Sequence, residues 1–143
     1  MSAEKEIWDT LHRHLRSIFT RDVETYRATT GEDLSLYEWF IVPHRQDGLD
    51  FHFFMIEHSW AGADEFRYDL LEPRLQLYGD SAVVSYTFML TVVAEDGIHH
   101  TSHNESRVLI RRDGGWQVVH VHKSPAWRAP REQLPEAAGR HKA

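Results

Sequence analysis

The stretch "RVLIRRDGGWQVVHVHKS", Arg107 to Ser124, decides the fold. Two apolar runs rich in β-branched residues flank Asp113-Gly114-Gly115, and Asp-Gly between such runs predicts a β-hairpin. Side chains at i and i+2 of a strand share a face, so His120 and His122 stand side by side. Two turn geometries are open. A two-residue turn at Asp113-Gly114 pairs Arg112 with Gly115 and puts Arg107 opposite His120. A three-residue loop with Gly114 in a left-handed bulge pairs Arg111 with Gly115 and sets Arg107 opposite Val119. In the first register Arg107 shares a face with Trp116 and the two histidines; in the second it joins Val119, Val121 and Lys123.

Working outward, "RYDLLEPRLQLYG", "SAVVSYTFMLTVVAED" and "HTSHNESRVLIRR" read as further strands, so the second half of the chain is an antiparallel meander. The first half is helical. Ile7, Leu11, Leu15 and Ile18 recur at spacings of four, four and three, with Trp8 and Phe19 widening the stripe. Asp22 suits the N-cap of a short helix over Val23 to Ala28, closed by Thr29-Thr30-Gly31. Leu34 to Ile41 reads as a strand, and Asp50 as the N-cap of a helix through "FHFFMIEHSW". Helices followed by long antiparallel strands predict one α+β domain over residues 1–127, a curved sheet wrapped around its helices as a cone with an internal cavity. Residues 128–143, polar and interrupted by proline, are expected to form a loosely held tail.

Composition narrows the function. The chain has 143 residues, 41% hydrophobic, no cysteine and a net charge of −6 with its eleven histidines neutral. A thiolate nucleophile and thiolate metal sites are therefore excluded. The acidic balance argues against nucleic acid, and no apolar run approaches the ~20 residues of a membrane span. The charged start "MSAEKEIWDT" lacks a signal-peptide apolar region, so a soluble, cytoplasmic protein is expected.

Chemical candidates follow from residue types. His120 and His122 with His99, His100 and His103 could converge on a metal, but no helical His-x-x-x-His spacing or two-His-one-carboxylate order supports one; no metal and no cofactor are expected. Ser85, Ser102 and Ser106 sit in strand runs, outside any Gly-x-Ser-x-Gly element. His52 and Glu105 are the candidates for acid–base chemistry, against a bland role as a satisfied core histidine and an ion-paired strand charge. Arg107 lies in an apolar strand, so if it faces inward it needs a partner or an anionic ligand.

"ESRVLIRRDGGWQVVHVHKS" resembles the close of the association (hub) domain of calcium/calmodulin-dependent protein kinase II, a pattern near E-T-R-V-W-H-R-R-D-G-K-W-x-x-V-H-[FY]-H-x-S. "GLDFHFF", "LLEPRLQLYGDSAVVSY" and "HTSHNESRV" are similar to its upstream motifs, so the likeness runs nearly to Trp127. It implies a nuclear transport factor 2-like cone that pairs through its sheets into a homodimer or larger ring. No glycine-rich ATP loop or catalytic His-Arg-Asp motif is present, so kinase activity is not implied. The resemblance also implies a ligand pocket for a small carboxylate. Its histidine falls on His52 and one arginine on Arg107; two further arginines fall on Lys123 and Phe88, the second losing its charge. It favours the bulged register, with Arg107 and Lys123 inside and an oligomer interface of Trp116, Val118, His120 and His122 outside. The alternative is a small SnoaL-like or ketosteroid isomerase-like enzyme on the same cone, with His52 as the catalytic residue and Arg107 and Lys123 holding its substrate.

Overall fold

A computed structural model of the chain describes residues 2–60 and 65–127; the expected tail at 128–143 lies outside the described residues. Helix α1 spans Ala3–Phe19, with the Ser2 side chain accepting from the Lys5 amide at its N-terminus. Ile7, Leu11, Leu15 and Ile18 are buried on one side, as their spacing predicts, and the same side carries the buried polar residues Thr10, His14 and Ser17. Helix α2, Val23–Ala28, is capped by Asp22, whose carboxylate accepts from the Thr25 amide at 3.1 Å.

The expected stop at Gly31 is corrected. Helix α2 ends at Thr29, and strand β1 already runs over Thr30–Glu38. Gly31 instead lies inside that strand, where a Cβ would lie 2.5 Å from Asp33 Oδ1 and 3.0 Å from Val119 Cγ1 and would push on both side chains. Strand β2, Val42–Asp47, falls in the polar "VPHRQD", which has no alternation to announce it. Helix α3 is Asp50–Met55 and continues into a π-helical turn, Ile56–Trp60. Asp50 is its first residue, and Leu49 occupies the cap position without a side-chain hydrogen bond.

Strands β3 (Glu65–Tyr78), β4 (Ser81–Ala94), β5 (Gly97–Arg112) and β6 (Gly115–Pro125) form the expected meander. The six-stranded sheet has the order β2-β1-β6-β5-β4-β3, and β1 lies parallel to β6. The sheet is therefore mixed and curled, preceded mainly by helices, an α+β fold. Helix α1 packs on β6 and β3, and α2 on β1. Their apolar sides meet Leu34, Leu36, Ala82, Val84, Leu109 and Val121 in the core.

The β5–β6 hairpin follows neither register in full. Asp113 (φ 48°) and Gly114 (φ 79°) form a two-residue turn with both residues left-handed, and Arg112 pairs with Gly115. Leu109 still pairs with Val118, but Val108 pairs with His120, leaving Val119 as the extra residue of a β-bulge. Beyond the bulge Arg107 stands opposite Val121. One inserted residue reverses the side-chain phase, so Trp116 and Val118 face the core on the turn side while Val121 and Lys123 face it on the far side. The expected outer strip of four is therefore corrected: Trp116 and Val118 are buried inside the monomer, and His120 and His122 alone point outward.

Candidate functional site

Between the helices and the inner face of the sheet lies a cavity of about 490 Å³, a volume typical of small-molecule sites. His52, Phe88, Arg107 and Lys123, the positions on which the resemblance places a pocket, come from four elements and all border it. Much of the wall is apolar, from Leu15 and Ile18 of α1 to Leu36, Leu90 and Val121 of the sheet. Trp39, Phe40 and Trp127, each at least 38% exposed, border the same space. Trp39 packs edge-on against Phe40, with centroids 5.0 Å apart, and lies 6.0 Å from Trp127.

Two polar chains cross the wall. In the first, His52 Nε2 donates to Glu38 Oε1 at 2.8 Å, and the Tyr26 hydroxyl lies 2.5 Å from His52 Nδ1. Lys123 Nζ donates to Glu38 Oε2 at 2.6 Å. Burial, the largest single influence on Glu38, pushes its pKa up; the Lys123 charge and the His52 hydrogen bond outweigh it and hold the carboxyl at about 2. Burial pushes the Tyr26 phenol well up, so it stays a hydroxyl.

In the second chain Glu105 Oε1 accepts from Tyr86 Oη at 2.6 Å and from Arg107 Nε at 3.1 Å, while Oε2 accepts from His103 Nε2. Arg107 Nε also reaches Tyr86 Oη at 3.0 Å, and its Nη1 donates to His14 Nε2 at 3.0 Å. A guanidinium only donates, so the His14 proton sits on Nδ1, which faces the Thr29 hydroxyl at 3.0 Å. Burial, reinforced by Arg107, holds His14 well below its ordinary 6.5, hence neutral. Burial pushes Glu105 up, but Arg107 and His103 overcome it and keep the carboxylate ionised; burial in turn pulls Arg107 down, and Glu105 and Tyr86 outweigh it and raise it.

Sequence reading places Arg107 and Lys123 beside an incoming anion, but each already has a resident carboxylate. Phe88 stacks on Tyr68 (5.6 Å) and His103 (5.4 Å), filling a wall position without charge. His52 has a partner at each ring nitrogen, so action as a base would require it to release one. Glu38, Tyr26, His14 and Tyr86 were not singled out from sequence. A carboxylate inside the aromatic run "LYEWF" was the available signal for Glu38.

The five histidines weighed as metal ligands do not converge. His103 faces inward onto Glu105, His120 lies outward with Nδ1 2.8 Å from Ser35 Oγ, and His100 lies by the Thr91 hydroxyl. Ser85 and Ser106 face each other across β4 and β5 on the outer side, and Ser102 borders the cavity. Among the described residues no helix is long and apolar enough to cross a membrane.

The comparisons agree with this architecture. The family model of the calcium/calmodulin-dependent protein kinase II association domain matches residues 3–127. The rabbit (Oryctolagus cuniculus) calcium/calmodulin-dependent protein kinase type II subunit delta is 29% identical over 124 residues, 85% of this chain; the match spans 23% of that protein's length. The solved hub of S. rosetta CaMKII superposes with a TM-score of 0.78 at 25% identity, covering 88% of this chain and 98% of that one. A nuclear transport factor 2-like protein of Salmonella enterica, at 24% identity and a TM-score of 0.72 over 91% of this chain and 96% of its own, shares the fold. On the match over residues 3–127, the chain belongs to the calcium/calmodulin-dependent protein kinase II association domain family.

Proposed function

We propose that this chain is a self-associating domain whose copies pair through the outer face of the sheet. The observation that carries the reading is the composition of that face. Cross-strand partners point to the same side, so with Val84, Tyr86, Glu105, Arg107 and Leu109 buried inside, the alternate residues face out. From Ser35 and Tyr37 of β1, through His120 and His122, to Ser106 and Val108 of β5 and Val83 and Ser85 of β4, no Asp, Glu, Lys or Arg intervenes. Charged residues make up 27% of the sequence, so a broad uncharged strip on a sheet face that no described helix covers is a departure. Depletion of charge with retention of aromatic and β-branched groups is the pattern of an interface core. Bringing two copies face to face would cover it symmetrically. The "hub" of the S. rosetta relative is consistent with the same role.

Size-exclusion chromatography with light scattering tests this. The expected result is a dimer or larger species at micromolar concentration, and Val108→Asp, which would bury an unpaired carboxylate in the interface, should yield folded monomer. A monomeric unsubstituted protein overturns the reading.

A further inference from the structure

We infer, on the basis of pairing through the outer face of the sheet, that His120 and His122 make self-association sensitive to acid: copies hold together while both imidazoles are neutral and part when they take up protons. His52, His99 and His103 each meet a carboxylate, Glu38, Asp96 and Glu105 in turn. His120 and His122 meet none among the described residues. His120 Nδ1 lies 2.8 Å from the Ser35 hydroxyl, and the His122 ring packs on Tyr37 with centroids 5.1 Å apart. What faces them is uncharged on both sides. Strand β1 sets Ser35 opposite His120 and Tyr37 opposite His122, and β5 sets Val108 and Ser106 opposite the same two. Of these four only Tyr37 titrates at all, and a phenol does so only in base. Beyond them stand two ion pairs, Arg45 with Asp47 on β2 and Arg112 with Asp33 at the turn end, each answered within itself.

In a single copy His122 is exposed and His120 half-buried, so protons reach both rings when copies are apart. Burial, and then the neighbouring His122, hold His120 below its ordinary 6.5 even there. Pairing would bury both rings further. A two-fold interface sets a patch against itself, so the second copy brings the same strip and no carboxylate in it to answer an imidazolium. Protonated rings would then lie desolvated and unpaired, and each charge would raise the cost of the next. The sign follows from linkage. Association lowers the affinity of both rings for protons, so it is at full strength at neutral pH. It weakens as pH falls into the range in which the separate copies titrate.

Analytical ultracentrifugation of the full chain at about pH 7.5 and about pH 5.5, with near-ultraviolet circular dichroism of the same samples, is the test. Each ring that must stay neutral costs about tenfold per pH unit below its pKa, and a pair of copies carries two of each. The dissociation constant should therefore be at least about a hundredfold larger in acid, with the dichroism of a folded protein retained and association restored on return to neutral pH. His120→Gln with His122→Gln keeps His14 and the other inner histidines and should associate equally at both values. If that variant does not associate at all, proton NMR of the parent decides: the His120 and His122 titration midpoints must fall as protein concentration rises. Association of the parent that is unchanged in acid would overturn the switch and leave pairing standing, whereas a parent already monomeric at neutral pH would remove both. Loss of the folded dichroism along with association, or acid dissociation that persists in the double variant, would place the cause in the core and overturn the switch. Midpoints independent of concentration would do the same. So would dissociation by EDTA at neutral pH, since acid would then be acting by releasing a metal ion.

Discussion

Strands β5 and β6 present two faces made from alternate residues of the same sequence. Inside, Glu105 and Arg107 are almost wholly removed from water, with Lys123 nearby and Glu38 fully buried; outside, Asn104, Ser106, Val108, His120 and His122 bear neither carboxylate nor ammonium nor guanidinium. Physical chemistry would ordinarily reverse this arrangement, because ions are cheap in water and costly in a core. The inner charges are tolerable because each has an opposite charge, and Glu38, Glu105 and Arg107 have further hydrogen bonds. Nothing about folding alone requires the outer face to lack charge. Its composition makes sense if that face is dry in the working protein, whereas the inner face keeps its charges by pairing them.

The sharpest way to break this comparison is to unpair the inner charges. Arg107→Met should lower unfolding stability by about 3–5 kcal/mol, because Glu105 is left ionised and alone in the core. Urea unfolding at one fixed protein concentration is the measurement, since association adds its own stability. Replacing both partners, Arg107→Met with Glu105→Leu, should cost clearly less than the single change. If the single substitution costs under about 1 kcal/mol, water reaches Glu105 and the inner face is not the desolvated one.

Acid probes the same face with a defined sign. His14 is held neutral in the fold, whereas an unfolded chain protonates it near 6.5, so stability should fall as pH drops below 6.5. His14→Gln can accept from Arg107 and donate to Thr29, and should flatten that limb. Glu38 behaves as a depressed carboxyl: its contribution is complete above the ordinary 4.5 and is lost as pH falls toward about 2. The ceiling on that contribution is on the order of 3 kcal/mol. Unfolding midpoints measured across the acid range, with Glu38→Gln as the control, separate the two limbs. A flat profile would mean that the polar chains are hydrated.

The fold was largely legible because its signals are local. The four-four-three spacing of Ile7, Leu11, Leu15 and Ile18, the Asp22 cap and the Asp113-Gly114 turn each act within a few residues. The division of labour along β6 was not legible, because the bulge at Val119 has no glycine or proline to announce it. That one residue moved Trp116 and Val118 from an expected interface into the core, while His120 and His122 remained outside. The resemblance picked out His52, Phe88, Arg107 and Lys123, and all four border the cavity. The electrostatics of that site were not legible, since Glu38 meets Lys123 across 85 positions of sequence and only the parallel pairing of β1 with β6 brings them together. Residue types alone raised Arg107 as a cation in need of a partner and Glu105 as an ion-paired strand charge; the fold added Glu38, which answers Lys123.

The smallest effect is expected from the exposed counterpart of the buried pair. Arg112 grips Asp33 through two hydrogen bonds of 3.1 and 2.9 Å, in better geometry than Arg107 has with Glu105, yet the two side chains are 37% and 62% exposed. Solvent competes for both ions, so good geometry should contribute little. Asp33→Asn is therefore expected to leave the urea midpoint unchanged within error at physiological salt, although the chemistry resembles that of the pair inside. The pair stands at the turn end of the uncharged outer strip, which gives the result a second use. A loss of stability that grows with protein concentration would place Asp33 and Arg112 under the partner copy and extend the interface to this end of the sheet. A loss independent of concentration would mean that an exposed ion pair stabilises the monomer as the buried one does, and the contrast between the two faces would then fail on its electrostatic side.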